Sequence, residues 1–342
     1  MEYPFENLIF EGGGVKGIAY VGVFQELEDR EIIGNIKRVG GTSAGAINAV
    51  LLSLGYSLQE TRDILMELDF NNFMDDSWGI VRDAKRLFDE FGLYKGDFFK
   101  QWIGDRIREK AGNENATFNE FKNKKFLDLY LIGSNLSTGF SEVFSCEHTP
   151  RMRVADAVRI SMSIPLFFAA IRNMRSDVYV DGGLFNNYPI KLFDREKYIE
   201  KGKRPQHARS TPYYKDNENK TRPKTSSPYV YNKESLGFRL DSRKEIAAFR
   251  DVAEAQHKKI DNVLEYFSAL VESIFNVQDN QHLHSDDWQR TVYINTHGVG
   301  TTDFDLPDST KKKLVTTGKK ATREYLDWFL EKKPKNHPDN QE

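Results

Sequence analysis

The chain has 342 residues, of which 39% are hydrophobic, 29% charged and 13% aromatic, so it can bury a sizeable core and is not of the disordered, collagen-like or coiled-coil classes. Forty-nine Lys plus Arg against 51 Asp plus Glu leave a net charge of -2, and no nucleic-acid partner held by bulk positive charge is expected. The single cysteine, Cys146, excludes an internal disulfide framework and a Cys-cluster zinc site, reads as a small buried hydrophobe and fits a reducing compartment.

The first residues, Met1 to Glu6, carry acids and no basic region ahead of an apolar run, so no secretory signal is expected. No stretch approaches the roughly 18 consecutive apolar residues of a membrane helix. A cytoplasmic protein that visits membrane surfaces is the expectation. Leu8 to Phe10 reads as a strand, followed by a glycine cluster and a helical run through Leu27. Ile36 to Val39 is a second strand, and Ala44 to Leu54 a helix after a glycine pair. Strand, helix, strand, helix is the pattern of a parallel sheet covered by helices. Ser57 with Glu60 and Thr117 with Glu120 form capping boxes, each opening a helix, and Asp97 to Lys110 is helical with Phe99, Trp102, Ile103 and Ile107 on one face. Leu127 to Ser134 is strand, with Glu142 to Phe144 as its partner. Val154 to Ile160 is helix, and Val178 to Val180 a short strand.

Lys201 to Pro228 breaks this pattern. Five lysines and three arginines face only Asp216 and Glu218, and the polarity predicts a mobile loop or lid. A long amphipathic helix is expected over Glu245 to Phe275, a strand over Val292 to Ile294 and a closing helix over Asp308 to Leu330 with Leu314, Ala321, Tyr325 and Phe329 inward. The chain thus divides into a core over 1–195, a basic polar insertion or lid over 196–240, helices and a strand completing the same domain over 241–331, and a disordered tail over 332–342.

Two glycine motifs carry chemistry. Gly41-Thr42-Ser43-Ala44-Gly45 is a G-x-S-x-G between a strand and a helix, the setting of a nucleophile elbow, where glycines on both sides allow a tight, strained turn. The same pattern also occurs in ordinary strand-to-helix turns. Gly12-Gly13-Gly14-Val15-Lys16-Gly17 follows the first strand, and its uncovered backbone N–H groups suit an oxyanion or anion cradle. Gly12, Gly14 and Gly17 also satisfy G-x-G-x-x-G, which keeps a dinucleotide-dependent oxidoreductase as an alternative. The acid such a site wants at the end of the next strand is missing, because that strand ends in Gly40 and Gly41. None of the seven histidines sits in a strand-end loop with turn glycines. Asp181 does, at a strand end before Gly182 and Gly183, although a D-G-G is also a common structural turn.

Taken together these motifs resemble the patatin-like phospholipase family. Ser161-Met162-Ser163-Ile164-Pro165, with Phe167 and Phe168 after it, and Asn186-Asn187-Tyr188-Pro189 extend the resemblance over about residues 5 to 193. The resemblance implies a three-layer α/β/α fold with a mostly parallel central sheet and a helical C-terminal extension. It implies Ser43 as nucleophile and Asp181 as its base, without histidine, and the loop Gly12, Gly13, Gly14, Val15, Lys16, Gly17 as oxyanion hole. Gly41, Gly45, Gly182 and Gly183 would shape the turns. Lys16 stands where many members carry arginine, keeping the charge without the planar fork. Ile164, Pro165, Phe167 and Phe168 read either as acyl-pocket wall or as core. The implied reaction is hydrolysis of phospholipid or lysophospholipid acyl esters at a membrane surface, with no metal or organic cofactor. An unknown protein or small-molecule activator and a non-catalytic lipid-binding module on the same fold stay open.

Overall fold

In the computed structural model, residues 3–73, 87, 89–241, 260–261, 266, 269–270, 273–274 and 286–331 are described. Twelve strands occur in this part of the chain: β1 (Asn7–Phe10), β2 (Arg38–Gly41), β3 (Gly92–Tyr94), β4 (Asp128–Asn135), β5 (Phe140–Ser145), β6 (Leu166–Phe168), β7 (Ile171–Arg172), β8 (Val178–Asp181), β9 (Ala208–Arg209), β10 (Tyr231–Asn232), β11 (Ser235–Asp241) and β12 (Thr291–Asn295). Eight of them make the central sheet, in the order β12-β11-β1-β2-β4-β8-β7 with β5 beside β4. β12, β11, β1, β2 and β4 run parallel, while β5, β7 and β8 pair antiparallel.

Consecutive apolar residues in β1 follow from its central place. Leu8 and Phe10 face one buried cluster and Ile9 the other, where it meets Tyr130, Tyr188, Ile190, Phe193 and Tyr198. Helices α1 (Tyr20–Asp29), α2 (Ala44–Ser53) and the long helix Asp308–Leu330 belong to the larger cluster. α1 and Asp308–Leu330 approach closely at two glycines. A Cβ on Gly22 would stand 1.9 Å from the Val315 carbonyl oxygen, and one on Gly318 would stand 2.1 Å from that of Ala19. Both capping boxes form, at Ser57 before α3 (Leu58–Met66) and at Thr117 before Phe118–Asn123. The helices Asp97–Ala111 and Val154–Ser161 and the β4–β5 hairpin also match the sequence reading.

Several elements differ from the reading. β2 includes the glycine pair and ends at Gly41, and a Cβ on Gly40 would stand 2.5 Å from Leu192 Cδ2. The first helix opens as a 3-10 turn, Gly14–Ala19. β11, a central strand between β12 and β1, lies inside the stretch read as an insertion. Its alternation of Leu236, Phe238 and Leu240 with Gly237 and Arg239 is a legible strand signal hidden beside a basic segment. The expected helix over 245–275 and the tail over 332–342 fall largely or wholly outside the described residues.

Nor does the basic segment stand free. β9 pairs with β10, and Tyr214 is buried with its hydroxyl donating to Asp194. Asp194 also accepts from Arg290 Nη1 at 2.5 Å and Nη2 at 2.7 Å, while Asp287 Oδ1 takes a second bond from Nη2 at 2.7 Å. All three of these charged side chains are buried. With asparagine at 194, Arg290 keeps Asp287 as its counter-ion, but an amide NH2 replaces one of the two oxygens that accept from the guanidinium and the Tyr214 hydroxyl, so buried donors are left facing a donor. Asp194→Asn is therefore expected to destabilise the protein by about 3 kcal/mol, read as a lower urea midpoint at unchanged slope; an unchanged midpoint would show that the cluster contributes nothing.

Candidate functional site

The site is made by two strands that meet end to end. On β4, Tyr130 and Leu131 pair with β2 on one edge and with β5 on the other; Gly133 to Asn135 pair with β5 and with β8. β2 and β8 therefore lie on the same edge of β4 and point at each other. β2 stops at Gly41, opposite Leu131, and β8 arrives with Asp181 opposite Gly133. The short gap between the two strand ends holds Ser43 and Asp181.

Ser43 sits at φ 52°, ψ -124°, left-handed backbone that costs a non-glycine residue strain. The flanking glycines make the turn possible. A Cβ on Gly41 would stand 2.3 Å from the Gly45 carbonyl oxygen, and one on Gly45 would stand 2.3 Å from that of Phe10 and 2.6 Å from that of Glu11. Backbone atoms on both sides cannot yield, so Gly45→Ala is expected to cost about 3 kcal/mol. A thermal midpoint lowered by roughly 10 °C would register it, and a midpoint within experimental error of the wild type would contradict the close approach.

The Ser43 N–H donates to Ser161 Oγ at 2.9 Å, and the Ser43 hydroxyl donates weakly to Met162 Sδ at 3.5 Å. Thr42 Oγ1 donates to the Asn186 carbonyl at 3.0 Å, tying the elbow to the turn behind Asp181. Asp181 has no solvent exposure, and Ser43 has 3%. Asp181 Oδ1 accepts from the Gly183 N–H at 2.7 Å, whereas its buried Oδ2 has no hydrogen-bond partner. Burial pushes the Asp181 carboxyl up to about 7, while the Gly183 N–H and the Ser43 hydroxyl pull the other way. Ser43 is thus close enough to act on the carboxyl although its hydroxyl is turned to the sulfur.

Gly12 to Gly17 close the other side. A Cβ on Gly12 would stand 3.1 Å from Ser43 Cβ, and one on Gly17 would stand 2.8 Å from Ala44 Cβ. The N–H groups of the loop and of the elbow residue Ala44 are not equivalent. Those of Gly12, Val15 and Lys16 donate to the carbonyls of Asn187, Thr301 and Gly13 at 3.1, 3.2 and 3.1 Å. Those of Gly13, Gly14 and Ala44 have no acceptor among the described residues. Gly14 has φ +55° and lies under the Thr301 carbonyl, where a side chain has no room. Lys16 is half-buried.

Of the aromatic run, Ile164 and Phe168 are core. Phe167 is half-buried among Tyr94, Phe168 and Phe304, with ring centroids 4.8, 4.9 and 5.0 Å away. Pro165 is half-buried as well. Sequence reasoning assigned no role to Arg159, yet its buried guanidinium donates to Ser163 Oγ at 2.6 Å and to the Ala169 carbonyl at 3.1 Å, and the Ser163 carbonyl accepts the Asp181 N–H at 2.8 Å. An arginine between the apolar Val158 and Ile160 was the available signal. Thr301 had none, since it reaches the glycine loop from the far end of the chain. The described histidines lie elsewhere, His148 with Ser145, His207 beside Glu234 and His297 with Thr317. Among the described residues, no three His, Cys, Asp or Glu gather as metal ligands would, and no helix is long and apolar enough to cross a membrane.

The family model described as patatin-like phospholipase matches residues 8–194. The YqhO protein of Bacillus subtilis (strain 168) is 30% identical over 332 residues, covering 93% of this chain and 97% of the relative. A protein of Invertebrate iridescent virus 6 named as a probable lipid hydrolase, 463L, is 26% identical over 188 residues, 55% of this chain and 63% of that one. Among solved structures, VipD from Legionella pneumophila shares the fold with a TM-score of 0.55 at 18% identity, over 95% of this chain and 67% of the other. The matched span begins in β1, takes in the glycine loop, the serine elbow and the strand bearing Asp181, and ends at Asp194, so the chain belongs to the patatin-like phospholipase family.

Proposed function

We propose that the protein is a serine acyl hydrolase of the phospholipase A or lysophospholipase type, with Ser43 as nucleophile and Asp181 as its base. The observation that carries this reading is the head-on meeting of β2 and β8. It sets a strained serine beside a fully buried carboxyl whose pKa is pushed up to about 7 and whose Oδ2 has no other partner. A base poised near neutrality in a dry site is suited to taking a proton from a hydroxyl.

In the proposed reaction Ser43 Oγ bonds to the ester carbonyl carbon while its proton passes to Asp181 Oδ2. The carbonyl electron pair moves onto oxygen, where the N–H groups of Gly13, Gly14 and Ala44 are the available donors. Collapse restores the carbonyl, breaks the bond to the glycerol oxygen and returns the proton from Asp181 to that leaving group. Water then attacks the acyl-serine, gives its proton to Asp181 and frees the fatty acid as the proton returns to Ser43. No step calls for a metal or organic cofactor. Because the substrate resides in bilayers, the protein would work at a membrane surface.

The test is labelling with a fluorescent alkyl fluorophosphonate beside fatty-acid release from mixed phospholipid vesicles. Wild type should be labelled at Ser43 and release fatty acid, and Ser43→Ala should do neither. Equal labelling of both proteins would move the nucleophile elsewhere. Vesicle binding without labelling or turnover would favour a non-catalytic lipid-binding module.

A further inference from the structure

Two hairpin tips stand side by side beyond the Ser43–Asp181 gap. β4 continues past the gap and turns at 136–139 into β5, and β7 turns at 173–177 into β8. Asn135 lies opposite Tyr179, the Leu136 N–H donates to the Val178 carbonyl at 2.8 Å, and the Val178 N–H donates to Ser137 Oγ at 2.9 Å. On these tips Leu136 is 45% exposed, Phe140 72% and Met174 completely. The turns themselves are built by other residues. Asn173 Oδ1 accepts from the N–H groups of Arg175 and Asp177 at 2.8 and 3.0 Å, and Gly139 takes φ +76°. Nothing in the folding of either turn calls for large apolar side chains in water.

On the two tips the exposed charged side chains are cations, whereas the acids Asp177 and Glu142 are half-buried. Arg172 and Arg175 are exposed on the second tip, and the Arg172 guanidinium lies 5.3 Å from the ring centroid of Phe91, itself exposed. Of the nearby acids, Asp177 takes a bond from Asn173 Nδ2 at 3.0 Å, and Glu142 takes bonds from Asn135 Nδ2 and the Tyr179 hydroxyl at 2.8 and 2.9 Å. A stable protein interface buries about 800 Å² per partner, more than a few side chains on two turns supply. Reversible membrane binding needs only a few apolar side chains and neighbouring cations.

We propose that these two tips form the edge by which the protein docks on an anionic bilayer. Leu136, Phe140 and Met174 enter the hydrocarbon boundary, and Arg172 and Arg175 meet lipid phosphates. The purpose of this docking rests on the acyl-hydrolase reading; its place rests on the sheet register. Val178 is three residues from Asp181 along β8, about 10 Å at 3.3 Å per residue. Tips sunk about 5–10 Å into the interface hold the gap near the headgroups, so an acyl ester has only a short way to travel.

The experiment is sedimentation with phosphatidylcholine vesicles, with and without about 30% phosphatidylglycerol, alongside turnover of a soluble short-chain ester. Wild type and Ser43→Ala should bind the anionic vesicles equally. Met174→Asp with Phe140→Asp should lower binding tenfold or more, and Arg175→Gln about fivefold, from ~1 kcal/mol per basic residue at the surface. The soluble ester should be turned over as before by the tip variants. Met174 is completely exposed, so Met174→Asp alone serves as the variant that keeps its fold. Tip variants that bind like wild type overturn the proposal. Absence of wild-type binding to either vesicle also overturns it and leaves a protein partner for the tips. Tip-dependent binding in a protein that turns over no ester sustains the docking and removes the hydrolase reading.

Discussion

Ser43→Ala is expected to lower kcat/KM for any accepted ester by about 10⁴ to 10⁶-fold, the usual cost of removing a nucleophile whose partners stay in place. Stability should change by less than about 1 kcal/mol, because alanine occupies the same backbone and loses only a weak bond to the Met162 sulfur. Ser43→Gly separates function from strain. At φ 52° glycine is at ease where serine is not, so this variant should be as inactive as Ser43→Ala yet more stable than wild type by about 1 kcal/mol. Urea unfolding of the three proteins beside ester turnover measures both. Residual activity of a tenth or more in either variant would remove Ser43 from the reaction, and a destabilised Ser43→Gly would remove the strain.

Asp181→Asn is expected to move activity and stability in opposite directions. The buried carboxyl titrates at about 7 against an ordinary 3.8, so below about pH 4 both folded and unfolded states hold the proton and burial of the neutral acid carries no charge penalty. As pH rises from 4 to 7 the unfolded chain releases the proton while the folded chain keeps it, and stability falls. Above 7 the penalty levels off at about 4 kcal/mol. Asparagine keeps an oxygen for the Gly183 N–H and never ionises, so Asp181→Asn should be several kcal/mol more stable than wild type at pH 8 and equal to it at pH 4. Its hydrolysis should fall about a thousandfold or more, as expected for a lost general base. In wild type the base form of Asp181 is needed, so kcat/KM should rise tenfold per pH unit up to about 7 and then flatten. A pH profile flat between 5 and 8, or a variant less stable at pH 8, would contradict the assignment.

The relation of β2 to β8 explains why both variants concern two residues 138 positions apart by numbering. Each strand and each turn around them was legible. Gly41 and Gly45 announced a tight elbow at Ser43, and Asp181 announced itself at a strand end before two glycines. The glycine loop was legible as a loop but not in detail. Which of its N–H groups stay unused depends on Asn187 and Thr301, whose carbonyls occupy those of Gly12 and Val15. The basic stretch misled for the opposite reason. Composition reports average polarity, whereas Tyr214 and β11 are buried by specific partners, Asp194 for the first and the neighbouring strands for the second.

By itself the sequence determined the local devices of this protein: the alternation of strands and helices, the capping boxes at Ser57 and Thr117, the glycine turns and the candidate nucleophile and base. These depend on backbone sterics and on hydrogen bonds between residues a few positions apart, which composition and spacing record directly. The tertiary structure decided what lies across space. It set β2 and β8 nose to nose on one edge of β4, buried the Asp181 carboxyl so that its pKa is pushed up to about 7, and carried two apolar tips beyond the gap. Desolvation and register are properties of the assembled sheet, and no single stretch of the chain contains them.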